Sequence, residues 1–218
     1  MLRAVLLDVN GTLTDPSAIG AVWARPDLGE RVLEHAVSTA MVAALLHDVE
    51  WQFREHLSAA IDVVAAAAGL DTDASAQALD RAGSLPARPG AADALATLRG
   101  ANLRILALTN SGAEAGRATL EGCGLLPLVE QVLGVDAIST FKPHPEVYAY
   151  ALSELDEDPD RVALIATHPW DLAGAAHGGI RTAWVRHQPR AWPVVFARPD
   201  VQADTLTDVA QAILAHHW

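Results

Sequence analysis

Short, almost unbroken apolar runs alternate along this chain with segments of helical periodicity. The runs at 3–9 (RAVLLDV), 103–110 (LRILALTN), 131–138 (QVLGVDAI), 161–167 (RVALIAT) and 181–187 (RTAWVRH) predict strands. Their continuity suits strands covered on both faces. Segments 91–101, 113–124, 145–156, 171–179 and 207–217 predict helices, the last with Thr205 or Thr207 near its N-cap. Strand and helix in alternation predict an α/β fold, with a parallel sheet and helices on both faces.

One stretch interrupts that rhythm. Between Asp15 and Pro86 there is no strand pattern. LGERVLEHAVSTAMVAALL and EWQFREHLSAAIDVVAAAAGLD predict two long helices, and DASAQALDRAGS a shorter third. A helical block placed after the first strand reads as a lid domain over residues 15–86. Residues 1–14 and 87–218 would form the core, and SLPARPG (84–90) the return linker.

In open α/β sheets, ligands bind beyond the carboxyl ends of the strands. The residues there are polar although the strands are not. Asp8, Asn10 and Thr12 follow the first run, and Thr109, Asn110 and Ser111 the second. Lys142 lies beyond the third, and His168 and Asp171 beyond the fourth. Asp8 is a candidate nucleophile, since carboxylates form covalent intermediates; its alternative is a loop-ordering aspartate. Thr109, Asn110 and Ser111 suit anion binding at a helix start, which is compatible with simple capping. His168 is either a base near neutrality or a hydrogen-bonded loop histidine. Asp171 either orients Lys142 or a water, or caps its helix, and Tyr148 either borders the site or packs.

Composition narrows these choices. Lys142 is the only lysine among 15 lysine and arginine residues, which points to a use for a compact ammonium that guanidinium does not serve. The 218 residues are 51% hydrophobic and 19% charged, enough for a sizeable core. A net charge of −12 gives no footprint for nucleic acid or an anionic membrane. With a single cysteine, Cys123, no internal disulfide is possible. No signal peptide or transmembrane run is evident, and a cytoplasmic protein acting on a small-molecule substrate is expected. The nine histidines form no spaced ligand set, and no phosphate-binding or dinucleotide glycine motif occurs, so no metal or other cofactor is expected. The six tryptophans are read as core or lid packing.

DVNGTLTD, LALTNSG, FKPHPEVY and IATHPWDLAGAAHGG, in that order, resemble the four motifs of the haloacid dehalogenase superfamily. The resemblance spans the chain and implies a Rossmann-like core with an inserted cap. It implies Asp8 as nucleophile, Asn110 and its neighbours as anion binders, Lys142 as cationic clamp and Asp171 closing the site. Phosphatase members carry a second aspartate where this chain has Asn10, and an acid where it has Thr167; magnesium belongs only to that alternative. The 2-haloacid dehalogenase branch, which uses an aspartyl-ester and no metal, resembles the chain more closely. In that branch a tyrosine spaced like Tyr148 borders the site, His168 falls where a residue positions water, and homodimers are common. That branch also carries an arginine on the first cap helix, where alignment puts Glu34 or His35; Arg25, Arg31 and Arg54 lie on other turns. A weakened phosphatase and a catalytically silent relative are the alternatives.

Overall fold

The computed structural model describes residues 1–47 and 52–218. Glu50 and Trp51, at the start of the second long helix expected from the sequence, lie outside the described residues. The core is a six-stranded, wholly parallel sheet. Its strands are β1 (Ala4–Leu7), β2 (Arg104–Thr109), β3 (Gln131–Gly134), β4 (Val162–Ala166), β5 (Arg181–Val185) and β6 (Val201–Ala203). The spatial order is β3-β2-β1-β4-β5-β6. The chain winds outward from β1 to β3, then returns to the centre at β4 and winds the other way. The reversal leaves a crevice at the carboxyl ends of β1 and β4.

Two strand expectations differ in detail. The third run stops pairing at Gly134, and Val135–Ala137 turns into a 3-10 helix. β6 is absent from the expectation because its three residues, with exposed Gln202, carry too little apolar pattern to register. A strand so short is a common form for a sheet edge.

Strand alternation sends side chains to two faces. Val5, Leu7, Ile105, Ala107, Ala163 and Ile165 join one apolar cluster with α5 (Ala91–Gly100), α6 (Ala113–Gly122) and α9 (Leu206–Ala215). Ala4, Leu6, Leu106, Leu108, Leu164 and Trp184 join the other with α7 (Pro145–Leu155) and α8 (Pro169–His177). The second cluster continues into the helical insertion, made of α1 (Ser17–Gly20), α2 (Leu28–Leu46), α3 (Phe53–Ala67) and α4 (Ser75–Ala82). On α2 the buried stripe Val32, Leu33, Ala36, Val37, Ala40 and Ala44 has helical spacing, as has Phe53, Leu57, Ala60, Ile61 and Val64 on α3. Among the described residues no helix is long and apolar enough to cross a membrane.

The chain leaves and re-enters the core through two segments lying side by side. The Asp15 N–H donates to the Pro86 carbonyl and the Arg88 N–H to the Leu13 carbonyl, each at 2.8 Å. Arg88 then donates through Nε to the Gly11 carbonyl at 3.0 Å and through a terminal nitrogen to Glu30 on α2 at 2.7 Å. One guanidinium thus ties the loop after β1 to the first long inserted helix.

α2 also meets the chain before α1 with no room to spare: a Cβ on Gly29 would overlap the Pro16 carbonyl oxygen. Gly29→Ala is expected to lower unfolding stability by about 1–3 kcal/mol in urea titrations. Gly100→Ala, where a Cβ meets nothing within 4 Å, should show no loss.

Candidate active site

Every strand end at the crevice contributes a group, and Lys142 joins them. It is 1% exposed, and its ammonium has three protons and three acceptors. Nζ donates to Asp8 Oδ1 at 2.7 Å, to Asp171 Oδ2 at 2.7 Å and to the Leu108 carbonyl at 3.1 Å. Two of those acceptors diverge from separate strands, a geometry that a compact ammonium meets and a planar fork does not. Asn110 holds the lysine's own backbone: its Oδ1 accepts the Lys142 N–H at 2.8 Å. Because a backbone N–H only donates, this bond sets the amide's orientation and leaves the Asn110 NH2 as a donor at the cavity wall.

Asp8 meets three polar side chains, Lys142, Thr12 and His168. Its Oδ2 accepts the Thr12 hydroxyl at 2.6 Å and faces His168 Nδ1 at 3.1 Å. Burial alone would raise its pKa, but the Lys142 charge, with His168 and these hydrogen bonds, holds it far below the usual carboxylate range. Asp171 is driven the other way. Complete burial raises its pKa, the Asp8 charge adds to this, and Lys142 and Tyr148 offset it only in part. Lys142 is raised: burial pulls it down, and Asp171 and Asp8 outweigh that. Two carboxylates whose pKa values are pushed apart have different uses, and here Asp8 is the one kept ionised.

Thr12, a candidate for substrate or anion binding as a polar residue beyond the first strand, and Tyr148, expected either to border the site or to pack, are both fully buried behind the carboxylates. The Thr12 hydroxyl donates to Asp8 and accepts the Thr167 N–H at 3.0 Å. The Tyr148 hydroxyl donates to Asp171 Oδ1 at 2.6 Å. They orient acids rather than ligand. Thr109 Oγ1 likewise accepts the Ser111 N–H at 3.1 Å and shapes the turn. Asn10 lies on the cavity above Asp8, and its buried Oδ1 has no hydrogen-bond partner among the described residues.

The cap position aligned with an arginine does not face the site. Glu34 is exposed and His35 half-buried. Leu33 and Val37, one helical turn apart, cover Asp8 instead, together with Phe53 and Trp170. Arg25 and Arg31 are exposed, and Arg25 pairs with Asp27. The ceiling over the nucleophile is therefore apolar. Trp170 stacks on His168 with ring centroids 5.2 Å apart, and the Lys142 ammonium lies 5.9 Å from the Trp170 ring centre. Gly11 is required beneath His168: it sits at φ 88°, and a Cβ there would lie 2.9 Å from the imidazole. The cavity over Asp8 has a volume of about 10 Å³, room for one water and no more.

Sequence reasoning also missed the groups behind the loop. His187 Nε2 donates to the Thr12 carbonyl at 2.9 Å, and Trp184 Nε1 to the Thr167 carbonyl at 3.0 Å. The strand assignments placed both residues near the crevice, but nothing in the pattern gave their partners.

The residues do not suit a divalent cation. Asp8 and Asp171 are already bridged by an ammonium, the other Asp8 oxygen is occupied, and position 10 supplies a neutral amide. Hard cations such as magnesium take six oxygens and need at least one or two carboxylates free to ligate, and here both are committed to the ammonium. Among the described residues no group of three or more His, Cys, Asp or Glu side chains is placed to hold a metal.

The haloacid dehalogenase-like hydrolase family model matches residues 2–179. The chain belongs to that family. (S)-2-haloacid dehalogenase 1 of Pseudomonas sp. (strain CBS-3) is 27% identical over 226 residues, covering 98% of this chain and 97% of its own. Probable phosphatase IndB of Dickeya dadantii is 29% identical over 219 residues, covering 97% and 94%. The L-2-haloacid dehalogenase of Xanthobacter autotrophicus, solved with chloropropionic acid covalently bound, shares the fold, with a TM-score of 0.88 over all of both chains at 22% identity. The parallel sheet with its helical insertion is thus the fold of this hydrolase family.

Two measurements test the electrostatics. Lys142→Met leaves two buried carboxylates without their shared cation and is expected to cost about 3–5 kcal/mol at pH 7.5. The deficit should shrink as pH falls in denaturant titrations, because burial and the Asp8 charge both raise the Asp171 pKa and its protonation relieves the repulsion. His187 has its pKa lowered to about 4, by burial first and then by Arg88. Between roughly pH 6.5 and 4 the unfolded chain binds a proton there that the folded chain does not, so stability falls as pH drops through that window. His187→Gln should make that fall shallower; an unchanged slope would assign it to other groups.

Proposed function

We propose that this hydrolase acts on small carboxylic acids carrying a leaving group on an sp3 carbon, 2-haloacids being the nearest class, through an aspartyl-ester at Asp8. The observation that carries this is the pairing at the first strand end. Asp8 is held ionised by Lys142, and two residues on stands Asn10, an amide that supplies no proton at useful pKa. A halide leaves without protonation, so displacement at carbon needs no acid there.

In the first step an Asp8 oxygen forms a bond to the substrate carbon, and the carbon–halogen bond breaks with its electron pair on the halide. In the second, water adds to Asp8 Cγ and the acyl–oxygen bond breaks; one water proton goes to the departing alkoxide and the other is released to solvent. This releases the 2-hydroxy acid and leaves one water oxygen in Asp8. His168, beside Asp8 and backed by Trp170, positions that water. Asn110 lines the space over Asp8 with its NH2 available to hold the substrate carboxylate, in a turn shaped by Thr109 and Ser111. The ammonium between Asp8 and Asp171 occupies the place a metal would need, which supports metal-independent chemistry. The apolar cover over Asp8 favours a compact, weakly hydrated leaving group and shields the ester from bulk water. With space for one water only, the inserted helices must shift to admit substrate.

The relative named as a probable phosphatase favours a second reading, phosphomonoester hydrolysis. The two readings separate when haloacids and a panel of phosphomonoesters are incubated in parallel, each with and without EDTA. Incubation with 2-chloropropionate and related haloacids in ¹⁸O water should place label in Asp8 over several turnovers, seen by peptide mass spectrometry, with halide release unaffected by EDTA. Asp8→Asn should abolish both. Phosphate release that EDTA removes, with no label in Asp8, would replace the dehalogenase reading by the phosphatase one.

A further inference from the structure

Three cavities meet at Phe53. The one over Asp8, about 10 Å³, is too small for a substrate chain. A second, about 270 Å³, lies between α3–α4 and the start of α6. Asn10 and Phe53 line both, so the larger space continues the smaller one away from the nucleophile. A third, about 220 Å³, is lined by Phe53 and by Asp136, whose carboxylate repels an anionic group.

The second cavity has a different character. Leu57, Leu79 and Ala118 give it apolar walls, and Arg54 is the cation on its lining. Arg54 reaches Asp80 only at 3.8 Å, with the two side chains 56% and 82% exposed. So loose and solvated a pair contributes little, and the guanidinium remains able to take a carboxylate in bidentate geometry. The apolar ceiling at Leu33 and Val37 offers no cation closer to Asp8.

We infer that this cavity is a substrate subsite for an aliphatic chain ending in a carboxylate, and that Arg54 sets specificity there. The preferred substrate is then a dicarboxylic acid, with its reacting carbon at Asp8 and its far carboxylate on Arg54. The inference rests on Asp8 being the nucleophile, but the subsite itself is testable by binding alone.

Titration calorimetry of the whole protein with succinate, glutarate and adipate, against butyrate, pentanoate and hexanoate, reads it directly. At one or more lengths the dicarboxylate should bind about three- to fivefold more tightly than its monocarboxylate partner, as expected for one partly exposed ion pair. Arg54→Gln should erase that preference, and Asp80→Asn, which frees the guanidinium, should enlarge it. Equal affinities at every length, no binding by any of the six acids, or a preference that survives Arg54→Gln would overturn the subsite. Halide release from the 2-chloro derivatives, measured in parallel, keeps the two readings apart. A dicarboxylate preference without halide release removes the carbon–halide chemistry and leaves the subsite. Halide release without the preference removes the subsite alone.

Discussion

The buried ammonium of Lys142 is the contact on which the site depends. Two carboxylates from different strand ends converge within the protein, and neither charge is tolerable there without a cation between them. One lysine satisfies both and spends its third proton on a carbonyl of β2. Its backbone is held by Asn110, which follows β2, and one of its carboxylate partners is held by Tyr148 on α7. The ends of β1, β2 and β4 are therefore locked to each other through a single charged atom. The same interaction leaves Asp8 chemically distinct from Asp171: the two acids share the cation, but His168 adds to it at Asp8 alone, and of the two only Asp8 has its pKa pushed low.

Around this charged floor the protein builds an apolar roof. Leu33, Val37, Phe53 and Trp170 come from the insertion and from α8, and they leave almost no free volume over Asp8. Cationic chemistry on the insertion is displaced sideways, to Arg54 beside the larger cavity. The roof is tied down by Arg88, which bridges the Gly11 carbonyl and Glu30. A shift of the inserted helices would strain a contact to the very loop that carries Asp8, so cap position and nucleophile geometry are mechanically linked.

Much of this was legible in the chain because the relevant signals are local. Five of the six strands follow from unbroken apolar runs, and Asp8, Lys142, His168 and Asp171 stand out as polar residues just beyond them. The solitary lysine marked itself by composition. Elsewhere local signals were insufficient. β6 is too short to show a pattern. Glu34 or His35 aligned with the cap position over the nucleophile, yet a helix turns about 100° per residue, and Leu33 and Val37 line the cavity instead. Nothing local to Thr12 or Tyr148 shows that their hydroxyls go to Asp8 and Asp171 rather than to a ligand.

Hydrophobic period and strand-end polarity are properties of neighbouring residues, so the α/β class, the helical insertion and the order of the site groups can be read along the chain. Only the tertiary structure decided which atoms pair at Lys142, which face of α2 covers Asp8, and where free volume remains. Those outcomes depend on how segments tens to more than a hundred residues apart pack against one another. A displacement of one residue or a few tenths of an ångström in that packing changes a hydrogen-bond partner without changing any local pattern.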